Sequence, residues 1–330
     1  PRANELFRQA LALAPDEPTR QRILKARLPV EYSSLLLNTR YQLRGGFYAP
    51  DDLPGLQSKA KDLFAQMKSF GIQSLHEGQQ LDLDEKRYAE MKPLPALILE
   101  NAQWHADIVP ELNARVLNLI DKRDSAAKDL MRPFVPGEGS YPGVGGLIAT
   151  AHSDYYARAW DFRWTVASQT ADTVVLAGQA DNGARLRRTF TLSSGGLRTV
   201  TELANAGSSP LPAALQVRGE FAAGDIDRAS ISFKSRAGQS VAQPFIVPAK
   251  EPTGKQTWTG ADRPAGLWRL LQSAGSAISV RFSDTEAERS FLNWTAKAKP
   301  GVTFGLWSKE LTLAPGESVR IEASYSADRP

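Results

Sequence analysis

Residues 200–221 read VTELANAGSSPLPAALQVRGEF, and this stretch decides the fold. VTELAN alternates with period two, as a strand must when its side chains point in turn to opposite faces. AGSSP then supplies the Gly, Ser and Pro residues that end strands. After Pro210-Leu211-Pro212 a second extended run, ALQVRGEF, places Arg218 and Glu220 on one side. Outward on the N-terminal side lie RLRRTFTLS and the turn SSGG, so residues 185–205 form a hairpin with Phe190 and Leu192 facing one way. TADTVVLAGQADNGARLRRTF adds a hairpin with Asn182-Gly183 at its tip, and AISVRFSD, VTFGLWS and SVRIEASYS supply later strands. A dozen or more such strands with almost no helix imply a large antiparallel two-sheet sandwich over residues 97–330.

The texture changes at Lys92-Pro93-Leu94-Pro95, where closely spaced prolines favour an extended linker over residues 93–96. Residues 1–92 read as a small helical bundle. Leu6, Ala10 and Leu13 form one stripe, and Pro15-Asp16 end that helix. Residues 19–43 read as a long second helix kinked at Pro29, and Leu56, Ala60, Leu63, Phe64 and Met67 face inward on a third that Gly71 ends. LDEKRYAEMK is a short fourth. The first helix and its APDEP exit resemble one helix of a tetratricopeptide repeat, but the period of about 34 residues does not recur.

Of 330 residues, 40 are basic and 36 acidic, and the signs are mixed along the chain, which argues against a nucleic-acid partner. The densest basic cluster, Arg185, Arg187 and Arg188, reads as a solvated strand face. No apolar run approaches the ~18 residues that span a bilayer, so no membrane partner is expected. There is no cysteine, which excludes disulfides and thiolate chemistry, and the three histidines are too dispersed to suggest a metal. No cofactor is implied. The chain starts at Pro1, so it is expected to be part of a longer protein whose targeting signal lies elsewhere.

Four segments in order resemble the galactose mutarotase-like fold, the β-supersandwich of aldose epimerases and of accessory domains in glycosidases. They are residues 97–131, with the turn Pro110-Glu111-Leu112-Asn113-Ala114-Arg115 in place of a glycine-rich one, and the loop EGSYPGVGGL. The opening stretch follows, and then FGLWSKELTLAPGESVRIEASY with its Leu-x-Pro-Gly-Glu turn. The helical part is similar to the region that follows an α-glucuronidase-like barrel in bacterial glycoside hydrolases. That resemblance implies a missing N-terminal catalytic domain and a periplasmic or extracellular setting.

Aldose epimerisation needs a general acid and a general base. The resemblance places the acid, a histidine, on the strand that here reads ALQVRGEF, and the base, a glutamate, where Trp307 or Ser308 stands. Arginine stays protonated near neutral pH and is a poor acid, but it pairs well with a carboxylate such as that of a uronic acid. Arg218 and Glu220 are either polar contacts for a sugar or an exposed salt-bridged pair.

His152 and Tyr155, in the turn before the strand that holds Phe162 and Trp164, are candidate substrate contacts, as is Trp307. Tyr156 and Trp160 belong to the same aromatic cluster, while Phe162 and Trp164 read as core. The Gly137–Gly146 loop lacks a P-loop's lysine and helix and reads as a cleft rim. Trp258, Trp268 and Trp294 read as core or as stacking platforms, and Asn293-Trp294-Thr295 matches the glycosylation sequon.

The leading expectation is a non-catalytic carbohydrate-binding or accessory module of a glycoside hydrolase. Its partner would be a carbohydrate, including uronic acid-containing ones. The alternatives are an epimerase or lyase-like enzyme using His152 with Glu220 or Glu310, and a purely structural or interaction domain.

Overall fold

The computed structural model describes residues 2–39, 41–76, 79–123, 127–134, 145–151, 162–246, 253–272, 275–295 and 301–328. The chain divides into two compact units, Pro1–Leu94 and Pro95–Pro330.

In the first unit, α1 (Arg2–Ala12) gives way to α2 (Glu17–Asn38) at Asp16, whose carboxylate accepts the Thr19 amide at 2.7 Å and so caps an otherwise orphaned donor. Helix α2 carries Pro29 inside it. Leu28 and Leu35 of α2 pack on Leu56, Ala60, Leu63, Phe64 and Met67 of α3 (Leu53–Ser69), as the spacing predicts, with Leu81 and Tyr88 of α4 (Leu81–Ala89) closing the cluster. Tyr32 donates to the buried Asp84 carboxylate at 2.7 Å.

One helical expectation is corrected. The second helix stops at Asn38, because Gly45 and Gly46 adopt φ of 58° and 80° and turn Tyr41–Arg44 back onto Phe47–Pro50. Leu6 of α1 is 56% exposed, and Leu13, just past its end, 81%.

The second unit holds two nine-stranded antiparallel sheets. The first runs in the order Thr253–Thr259, Arg289–Thr295, Gly301–Trp307, Gln216–Phe221, Gly146–Thr150, Arg115–Asp121, Trp104–Val109 and Leu97–Glu100, with Lys128–Asp129 paired to Arg115–Asp121. The second runs Arg163–Gln169, Thr173–Gln179, Ala184–Ser193, Gly196–Asn205, Ser318–Asp328, Ala277–Phe282, Pro264–Leu271, Ser230–Ser235 and Ser240–Pro244.

Aromatic residues of both sheets meet in one core. Trp268 stacks on Phe304 at 4.4 Å, and Phe221 lies 6.0 Å from Trp268 and 6.2 Å from Tyr325. Burying such a ring is worth about 2–3 kcal/mol. Trp258, Trp268 and Trp294 are all buried and belong to the core.

The hairpin of residues 184–205 forms as read, with Ser193 opposite Gly196. Arg188 departs from expectation. It shares the inward face with Phe190, is 2% exposed, lies 4.8 Å over the Phe190 ring and donates to the Ala114 carbonyl at 2.6 Å. Burial pushes its guanidinium down to about 10. It is a structural strut, not part of a solvated face.

The carbonyl that Arg188 meets belongs to the turn of residues 110–115. Asn113 and Ala114 there adopt φ of 63° and 48°, a region that normally favours glycine. The Asn113 amide donates to Ala149 O at 2.9 Å and accepts the Trp164 indole N–H at 3.0 Å, which holds the turn and aims the next strand. Among the described residues no helix is long and apolar enough to cross a membrane.

Candidate functional site

Val217 and Phe221 point between the sheets, so alternation puts Gln216, Arg218 and Glu220 on the outer face of the first sheet. On the next strand Val302, Phe304 and Leu306 face the core and Thr303, Gly305 and Trp307 face out. The register brings Gln216 opposite Trp307, Arg218 opposite Gly305 and Glu220 opposite Thr303. It continues through Thr303 to Asn293 and from Asn293 to Lys255. One row across the outer face is therefore Glu220, Thr303, Asn293, Lys255.

Arg218 and Glu220 are 4% and 2% exposed, so the salt-bridged pair is buried, not exposed. One carboxylate oxygen lies 3.6 Å from Arg218 Nη2; the other accepts the Gly145 amide at 2.9 Å and lies 3.6 Å from Arg132 Nη1. Desolvation lowers the pKa of Arg218, and the Glu220 charge opposes that shift. Arg115 sits in the same region, fully buried, donating to Gly145 O and lying 4.9 Å over the Phe134 ring. Both Glu220 oxygens are thus engaged, which leaves this carboxylate poorly placed to take a proton from a substrate.

Trp307 occupies the outer position at the far end of its strand. The Arg289 guanidinium lies 3.6 Å over its ring and Phe291 meets it edge-on at 5.9 Å. Arg289 also donates to Glu310 at 3.1 Å, so Glu310 is a surface ion-pair partner rather than a free base. Ser308 is buried with its hydroxyl accepting the Leu215 amide at 3.0 Å, which makes it a strand clasp. Gln216 Nε2 and the Trp307 indole N–H, on register-paired residues, are buried donors with no hydrogen-bond partner among the described residues.

Beside this cluster a cleft of about 670 Å³ opens, within the range of small-molecule sites. Arg132, Thr253, Lys255, Asn293, Thr295 and Thr303 line it, with Gly254 and Gly301 in the floor. A Cβ on Gly301 would stand 2.6 Å from Arg132 Cδ, so the missing side chain lets Arg132 lie flat across the strand. Trp294 forms part of the wall while its indole donates to Ile246 O at 3.0 Å.

His152, Tyr155, Tyr156 and Trp160 lie outside the described residues, as does most of the glycine-rich loop. Phe162 and Trp164 pack against the core, as read from the sequence. Among the proposed site residues the fold brings together Arg218, Glu220 and Trp307 on one face; Glu310 sits apart with Arg289. Sequence reasoning missed Arg132, Lys255, Asn293 as a cleft residue, and Thr303. It also passed over His105, whose imidazole hydrogen-bonds Asp107 at 2.7 Å and has a raised pKa chiefly through that bond. His105 shares the outer face but lies three strand steps, roughly 14 Å, from the Gln216–Phe221 strand, too far to pair with Glu220. Among the described residues no group of three or more His, Asp or Glu is placed to hold a metal.

No family model and no curated protein matches the chain. Solved structures do. A galactose mutarotase-like protein from Clostridium acetobutylicum aligns with TM-score 0.55 at 11% identity, over 72% of this chain and 96% of its own. One from Lactobacillus casei aligns with TM-score 0.51 at 14% identity, over 71% and 100%. An aldose epimerase homologue from C. elegans aligns with TM-score 0.51 at 13% identity, over 72% and 99%. The chain therefore has the galactose mutarotase-like fold, with four helices among the described residues preceding it.

Proposed function

We propose that this chain is a non-catalytic carbohydrate-binding module, accessory to a catalytic domain of a longer bacterial carbohydrate-active protein that works in the periplasm or outside the cell. The observation that carries the non-catalytic part is the fate of Glu220. On the strand where the resemblance places a proton donor, an arginine stands in ion-pair contact with this buried carboxylate, and the Gly145 amide and Arg132 take its other oxygen. Where the base is implied, Trp307 lies beneath a guanidinium. Neither position offers a group that changes protonation near neutral pH.

The binding part is supported by the cleft on the same sheet, whose hydroxyl, amide and cationic side chains are the donors and acceptors that sugar hydroxyls pair with. The resemblance of the helical stretches to the region after a glycosidase barrel supports the accessory role.

A glycan array that includes acidic sugars, run beside polarimetry of freshly dissolved aldoses, tests the reading. Glycan binding with mutarotation at the buffer rate is expected. Accelerated mutarotation would overturn the non-catalytic assignment, and an array without a single bound glycan would overturn the binding one.

A further inference from the structure

Among the described residues, the charged side chains that line the cleft are of one sign. Arg132 and Lys255 stand among its lining residues, and no aspartate or glutamate lines it among the described residues. Asn293, Thr253, Thr295 and Thr303 supply the remaining polar groups.

Behind the cleft, Arg132 and Arg218 each lie 3.6 Å from the Glu220 carboxylate, and Arg115 is buried beside them, donating to Gly145 O. Arg132 is the member that reaches the cleft. Its Nη1 lies 3.6 Å from Glu220, an ionic contact longer than a hydrogen bond, and its Nε–H is buried with no hydrogen-bond partner among the described residues. A guanidinium at 14% side-chain exposure with an unmet donor gains most from an anion that brings paired acceptors.

The backbone argues for a carboxylate over a phosphoryl group. Around the cleft, Thr253–Thr259, Arg289–Thr295 and Gly301–Trp307 are paired to one another in antiparallel ladders, so among the described residues the walls provide no nest of free amides and no helix N-terminus. One planar fork and one ammonium remain, a set that matches the two oxygens of a single carboxylate, with hydroxyl and amide partners beside it for a ring.

We infer that this cleft binds an acidic sugar, with the carboxylate of a hexuronic acid unit held between Arg132 and Lys255 and ring hydroxyls on Asn293 and Thr303. The inference rests on the reading of the cleft as a sugar site and names the class of sugar. It also moves the carboxylate contact from Arg218, which is committed to Glu220, to Arg132 and Lys255.

Isothermal titration of the whole chain with D-glucuronate, D-galacturonate, their methyl esters, D-glucose and glucose 6-phosphate separates the outcomes. A uronate bound at least tenfold more tightly than its neutral methyl ester, with affinity falling as salt rises, is expected. Lys255→Gln, at an exposed strand position, should shrink the preference for uronate over its methyl ester about tenfold; Arg132→Met should do the same where its melting curve shows a folded protein. Equal binding of uronate and ester overturns this inference and leaves the sugar-site reading standing. Glucose 6-phosphate bound in preference to the uronates overturns the carboxylate assignment. If no sugar in the set binds, the sugar-site reading falls and takes this inference with it.

Discussion

Arg218 and Glu220 stand two residues apart on one strand, with 3.6 Å between Nη2 and Oε1 and less than 5% exposure for either residue. A buried pair of this kind contributes little net stability compared with apolar residues of the same size, but breaking it strands a charge. Glu220 also faces Arg132, so removing it takes an ionic partner from two guanidiniums at once. Glu220→Gln is expected to destabilise the protein by about 3–5 kcal/mol in urea denaturation. The double variant Arg218→Met with Glu220→Leu should cost clearly less than the sum of its single changes. Additive losses would show that the two side chains are energetically independent.

The turn before Arg115 should be sensitive to its asparagine. Asn113 adopts φ 63° and makes side-chain hydrogen bonds to Ala149 and Trp164. Asn113→Ala loses both bonds and retains an unfavourable backbone, so a loss of about 2–3 kcal/mol is expected. Asn113→Gly relieves the backbone alone and should fall between the two by about 1 kcal/mol. Thermal melts of the three proteins at one pH check the order.

Asp129 gives the fold a pH dependence of known sign. Burial raises its carboxyl from 3.8 to about 6, although its Oδ1 accepts the Leu119 and Met131 amides, and Asp107 nearby adds to the rise. The folded state therefore holds the proton more tightly than the unfolded chain. This group's contribution to stability is fully present below pH 4 and declines as pH rises from about 4 to about 6. His105, raised by its bond to Asp107, acts in the same direction and loses its contribution as pH passes through its folded pKa. Asn in place of Asp129 keeps an Oδ1 to accept both amides and removes the charge. Asp129→Asn should match the parent at pH 4 and exceed it by about 1–3 kcal/mol at pH 7. Denaturant midpoints at both pH values decide the matter, and an equal offset at both would contradict the assignment.

Gly301 tests the cleft without altering a charge. A methyl group there meets Arg132 Cδ at 2.6 Å and the Phe221 carbonyl at 3.2 Å. Gly301→Ala should displace Arg132, weaken uronate binding about tenfold and cost about 1–2 kcal/mol of stability, the usual penalty for overpacking. Titration and a melt on the same sample would read both.

The hairpins and the core of the sandwich were legible because period-two patterning and turn chemistry act locally. Phe190, Leu192 and the Ser193–Gly196 turn needed nothing from the rest of the chain. Arg188 was misread because an arginine in an alternating strand looks solvated until a partner carbonyl, Ala114 O, is brought 74 residues across the fold. The end of α2 was hidden because Tyr41–Leu43 continue a helical pattern, and only the Gly45-Gly46 turn reverses the chain.

At the site, alternation put Arg218 and Glu220 on one side but not the burial of that side, which depends on what covers the sheet. Arg132 lies outside any strand. Its own amide bonds to Glu220 O at 2.9 Å across 88 residues, and no local pattern marks such a position. Lys255 becomes a cleft residue only through its register with Asn293, which is set by two strands meeting.

The central claim, a sugar-binding cleft without epimerase chemistry, is tested most directly by two-dimensional exchange NMR of D-glucuronate in the presence of the protein. That spectrum reports sugar binding and the rate of α/β anomer exchange together. The expected result is line broadening of bound sugar, lost in Lys255→Gln, with anomer exchange at the rate of buffer alone. Anomer exchange that rises in proportion to protein concentration, or sugar lines unchanged by the protein, would contradict it.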